Sequence, residues 1–162
     1  MRTTLVLLSL VVVGICATPA TAAAPTKFPF SFSATPIAVS GICSFDVTVA
    51  SQLTGFELDY FDNSGAITRV YDHATEQDVF SHDGNTLTGL PYTFSVDVLF
   101  DSSGNVTHIY ASGETSRVPL PDGSVFFSAG RADFTQHPGQ TFLISPDEGN
   151  PGDIAAFCAA LA

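Results

Sequence analysis

His108 and Arg131 are the side chains whose type and setting could do chemistry. In "NVTHIYASG", alternation puts His108 on one side of a strand with Val106 and Tyr110, and Thr107, Ile109 and Ala111 on the other. An imidazole beside apolar neighbours borders a core or a cavity, and it works as a general base only with an orienting carboxylate. Asp97 lies on the face opposite Phe94 and Val98 of its own strand, so it orients nothing if those two face inward. Arg131 is the one basic residue of "SVFFSAGRADF" and shares a face with Val125, Phe127 and Ala129. Its guanidinium could hold a ligand carboxylate or pair with one of the many aspartates, and Arg69, flanked by Ile67 and Tyr71, poses the same choice.

Other chemistry is thinner. His73 and His82 flank the acidic stretch "DHATEQDVFSHD", where Asp72, Asp78 and Asp83 are further oxygen donors, but a spacing of nine fits no compact metal motif. The sequence has no "GxSxG", no "HExxH", no phosphate loop and no complete calcium loop. No metal and no cofactor is therefore expected. Phe94, Phe100, Tyr110, Phe126 and Phe127, with Arg131, are the candidate lining for a small apolar or amphipathic ligand. Fourteen phenylalanines serve a solid core equally well.

The elements that must position these residues are short alternating runs separated by turn chemistry. "YTFSVDVLFDSSGNVTHIYASG" is the clearest hairpin, with Asp101 to Gly104 as its loop, and "DNSG", "HDGN" and "PDG" repeat the signal. Strands are predicted near 28–33, 42–50, 54–61, 66–73, 76–82, 86–100 with a break at Pro91, 105–118 and 124–134, with a short one near 140–144. Eight or nine strands in hairpin order predict an all-β, antiparallel up-and-down barrel, because a long sheet hides its edges by curling shut. A two-sheet sandwich is the alternative.

"GDIAAFCAALA" predicts a C-terminal helix over 153–161, N-capped by Asp153, with Ile154, Phe157, Cys158 and Leu161 on one face. At the other end, "MRTTLVLLSLVVVGICATPATAAAP" has the order of a Sec signal peptide, with removal expected after Ala22. The bulky Ile15 ahead of Cys16 argues against lipoprotein processing there. A mature chain from residue 23 to 162 is one domain, exported, and left with two cysteines, Cys43 and Cys158. These are predicted to be bridged, Cys43 sharing a strand face with Phe45, Val47 and Val49. Only Lys27, Arg69, Arg117 and Arg131 remain against 16 acidic residues, scattered singly, which excludes nucleic acid and anionic membrane as partners.

The tail carries a resemblance. Ala129, Gly130 and Arg131 in "VPLPDGSVFFSAGRADF", followed after a gap by Phe157, Cys158, Ala159, Ala160 and Leu161, resemble a group of uncharacterised secreted proteins of actinobacteria. The match covers roughly the last quarter of the chain. It implies export and a β-rich fold, and it implies no activity. The reading from the sequence is an exported, non-enzymatic barrel that binds a small apolar or amphipathic molecule. Its alternatives are a cofactor-independent cyclase or isomerase using His108 and Arg131, and a surface interaction protein; the oligomeric state is open.

Overall fold

The turns explain the hairpins. A computed structural model describes residues 24–140 and 142–162; the leader expected over 1–22, with Cys16 and the cleavage point, lies outside the described residues. The Asp62 carboxylate accepts the backbone N–H groups of Ser64 and Ala66 at 2.8 and 3.0 Å, and the Asp101 carboxylate accepts those of Ser103 and Asn105 at 2.8 and 2.9 Å. An aspartate at such a position folds the turn with its own side chain. At "HDGN" the two-residue loop is Asp83 and Gly84, with φ of 44° and 88°, the left-handed pair that suits a tight hairpin.

These turns join β1 (Thr26–Ser33), β2 (Ile37–Val39), β3 (Val47–Phe61), β4 (Ile67–His82), β5 (Asn85–Thr88), β6 (Tyr92–Phe100), β7 (Val106–Pro119), β8 (Val125–Asp133) and β9 (Glu148–Asn150), followed by α1 (Ile154–Leu161). Two pairs of expected strands are in fact single long ones: 42–50 and 54–61 merge into β3, and 66–73 and 76–82 into β4. Gly55 and the polar residues around Thr75 do not interrupt the ladder, because each still pairs in register. Residues 142–144 form no strand, and the last strand is β9, which pairs with β8.

All nine strands form one antiparallel sheet, ordered β1-β3-β4-β6-β7-β8-β9, with β2 added to β3 and β5 to β4. The sandwich alternative is therefore not the arrangement. Nor is the sheet closed: β1 and β9 are its ends and do not pair among the described residues. It is nevertheless curled, because Phe32 near one end and Ala132 near the other line the same cavity. Between those ends the wall is the irregular segment carrying Phe134, Phe142 and Leu143, where a barrel would have a strand. One register row crosses the sheet as Gly55, Ala74, Phe94, Gly113, Gly130 and Gly149. Gly113 has φ of 123°, and a Cβ there would press on the Phe94 backbone. Such a line of missing side chains lets a sheet bend sharply.

The inner face is a solid core at one end only. Val47, Val49, Phe80, Val118 and Phe126 are buried there under α1. Asp153 caps the helix by accepting the Ala156 N–H at 2.9 Å, and Phe157 packs on Phe80 and Phe126 with ring centroids 5.1 Å from each. The expected bridge is present: Cys43 and Cys158 are disulfide-bonded, their Cα atoms 5.6 Å apart. Cys43, however, precedes β3 in an irregular segment instead of lying on a strand face, and Phe45 beside it stacks on His82 at 3.9 Å. The bridge closes a loop of 115 positions, for which chain entropy gives about 4 to 5 kcal/mol. Replacing Cys43 and Cys158 together by alanine should lower the unfolding free energy by up to about that amount in urea titrations. A variant as stable as the parent would show that the helix is held by packing alone.

Candidate functional site

Alternation along β4 is the origin of the site. In "ATEQDVF" the inward positions are Ala74, Glu76, Asp78 and Phe80, so two carboxyls sit on a face otherwise apolar. Asp78 is fully buried and Glu76 is only 8 % exposed. Register fixes their neighbours: Ser51 of β3 lies opposite Asp78, and Tyr92 of β6 opposite Glu76. Ser51 Oγ donates to Asp78 Oδ1 at 2.5 Å and the Tyr92 hydroxyl donates to Asp78 Oδ2 at 2.8 Å. Three strands are thereby tied through one aspartate.

Above this knot the inner face opens into a cavity of about 740 Å³. Its walls include Phe32, Leu53, Phe94, Val96, Ile109, Ala111 and Phe142, and its polar groups include Ser51, Glu76, Tyr92, Glu114 and His137. That composition, apolar walls around a few convergent polar groups, is typical of small-molecule sites. Burial, and then the neighbouring charge of Asp78, pushes the Glu76 carboxyl up to about 7. Burial also raises Asp78, opposed by the hydrogen bonds from Ser51 and Tyr92, and it raises the Tyr92 phenol, which stays neutral. The pair thus shares a proton near neutral pH, with Glu76 the member facing the cavity.

Further along the same face lies a second acidic group. Glu57 is opposite Asp72 in register, with Asp59 two residues on. Burial raises Asp72, followed by the charge of Asp59, while Glu57 is raised by burial and then by Asp72 and Asp59. Asp59 Oδ1 and Asp72 Oδ1 are buried without hydrogen-bond partners among the described residues.

The residues singled out from sequence are dispersed. Phe94 lines the cavity. Phe126 is in the solid core, and Phe100 is not part of the cavity wall. His108 is exposed and stacks on Tyr110 at 5.2 Å, on the face opposite the inward-pointing Ile109 and Ala111. Arg131 covers the Tyr110 ring at 4.1 Å, and both belong to a shallow outer pocket of about 220 Å³ with Asp133, Gln136, Asp147 and Glu148. Phe127 is likewise outward, beneath Arg117. His108 and Arg131 were expected at an interior wall; the strand phase turns both outward, so neither reaches the cavity. Arg69 pairs with Asp97 at 2.5 Å, also outside. His73 and His82 fall on opposite faces of β4, His73 bonded to Ser95 Oγ at 3.2 Å and His82 to the Asp46 carbonyl at 3.0 Å. His137 lines the cavity and is held by Asp147 at 2.7 Å.

The raised Glu76 carboxyl has a consequence for stability. An unfolded chain ionises it near 4.5 and the folded chain near 7, so between these values the folded state binds the extra proton and stability falls as pH rises. Glu76→Gln has no such proton to lose. Its stability relative to the parent should therefore improve by something on the order of 3 kcal/mol between about pH 5 and about pH 8 in urea titrations. A difference that does not change with pH would contradict the burial of an ionisable Glu76.

No protein family, no curated protein and no solved structure matches this chain.

Proposed function

We propose that the chain is an exported, non-enzymatic binding protein that carries a small apolar or amphipathic molecule within its curled sheet, as an unsealed barrel. The observation that carries this reading is the cavity of about 740 Å³, which falls within the range of drug-sized ligand sites and has largely hydrocarbon walls. Export is supported by the disulfide, by the sequence of the leader and by the acidic balance. Among the described residues no helix is long and apolar enough to cross a membrane.

A second reading rests on Glu76, Asp78 and Tyr92. A carboxyl titrating near 7 beside a second buried carboxyl is suited to general acid–base work. In a cofactor-independent isomerase or cyclase these three would replace His108 and Arg131 as the working groups. The binding reading is preferred because it needs only the cavity.

Ala111 offers a clean test, since its small side chain lines the cavity and lies outside the solid core. The parent protein should bind the neutral apolar dye Nile red with a rise in emission, and Ala111→Trp should abolish that rise while keeping the far-ultraviolet dichroism of the parent. Native mass spectrometry of protein from its own host should show an added mass that the variant lacks. Equal dye binding by both proteins would overturn the cavity as the site.

A further inference from the structure

We infer that the cavity is built for an amphipathic amine: a protonated nitrogen lodged at Glu76, with an apolar body running along Phe94, Val96 and Ile109. This deepens the binding reading above and rests on it. The inference comes from how charge is divided between the two faces of one sheet.

Lys27, Arg69, Arg117 and Arg131 are all the Lys and Arg of the described residues, and none of them lines the cavity. Lys27 covers the Phe56 ring at 3.8 Å, Arg69 binds Asp97, Arg117 binds Glu114 at 2.5 Å, and Arg131 covers Tyr110. Outside, carboxylates accompany the arginines, whereas the inward positions of β3 and β4 carry carboxyls and neither Lys nor Arg. Glu76 lines the cavity with Asp78 fully buried next to it on the same face of β4, and Glu57, Asp59 and Asp72 continue along the same strands. Glu76 is more than nine-tenths buried, faces the cavity and has no cationic partner among the described residues. Asp78 already receives the hydroxyl hydrogen bonds of Ser51 and Tyr92, and Glu76 is the carboxyl of the pair that borders the cavity.

An uncompensated buried carboxylate is costly, and a fixed cation is the partner that removes the cost. A ligand carboxylate or phosphate would meet like charge in a low-dielectric pocket, which disfavours fatty acids and phosphate esters. A neutral molecule would bind by its apolar part and leave Glu76 protonated. A protonated amine gains a charge-assisted hydrogen bond in addition to that apolar contact. The histidine in the wall, His137, is already engaged by Asp147.

Binding of dodecylamine, dodecanol and dodecanoate, each below its aggregation concentration, separates these cases by calorimetry on the full mature chain. Dodecylamine should bind at least about ten-fold tighter than dodecanol, a ratio within reach of one charge-assisted hydrogen bond, and dodecanoate weaker than both. Glu76→Gln should remove the preference, so that dodecylamine and dodecanol bind the variant alike. The amine preference should persist in high salt, since attraction to the acidic exterior is screened there and a buried pair is not. Dodecanol binding with no preference for the amine would overturn this inference and leave the cavity reading standing. Failure of all three to bind would overturn both.

Discussion

The burial of two carboxyls at adjacent inward positions of β4 is the constraint around which the molecule is arranged. A carboxylate removed from water must be satisfied by donors or hold its proton, and both happen here. Asp78 is satisfied by Ser51 and Tyr92, which come from the strands on either side of its own, so its solvation is supplied by the correct register of three strands. A one-residue slip of β3 or β6 would replace those donors by residues of the outer face. Glu76, one step nearer the cavity, has less to bond with and keeps its proton to about 7. Specifying register in this way costs stability that an apolar pair would not.

That floor also marks where the interior changes character. Below it, α1 and its bridge to Cys43 complete a filled core of Phe80, Phe126 and Phe157. Above it, the small residues Gly55, Ala74, Ala111 and Ala132 alternate with larger ones such as Leu53, Phe94 and Ile109 on the inner face, and space opens. Volume that a barrel of this size could fill with side chains is thus left empty by small residues. The two-residue period then sorts the cations: Arg69, Arg131, His73 and His108 point out among aromatic rings, while the inward positions of β3 and β4 carry Glu57, Asp59, Asp72, Glu76 and Asp78.

Much of this is legible in the sequence. The hairpins around Asp62, Asp83, Asp101 and Asp122 follow from turn chemistry, the helix from its Asp153 cap and apolar stripe, and the bridge from the two cysteines that lie outside the leader-like segment. Closure is not legible, because no local pattern states whether distant edges meet. The phase of β7 and β8 misled: alternation gives two faces without saying which is inside, and the apolar neighbours Val106 and Val125 proved to be exposed. The clearest missed signal was "ATEQDVF". Ala74 and Phe80 mark its inner face, and Glu76 and Asp78 fall between them in phase, a pattern that the nearby histidines obscured by suggesting a metal. The row of glycines through Gly113 and Gly130 is likewise invisible until register aligns it.

The polar floor and its register depend on Glu76 being an ionisable group kept from water beside Asp78. Following the side-chain carboxyl 13C shift of Glu76 through an acid-to-neutral titration measures this directly. The account predicts a transition with its midpoint near 7, far above the 4.5 of an ordinary glutamate. A midpoint in the ordinary range would mean a hydrated side chain, and the polar floor and the amine site would both fall with it.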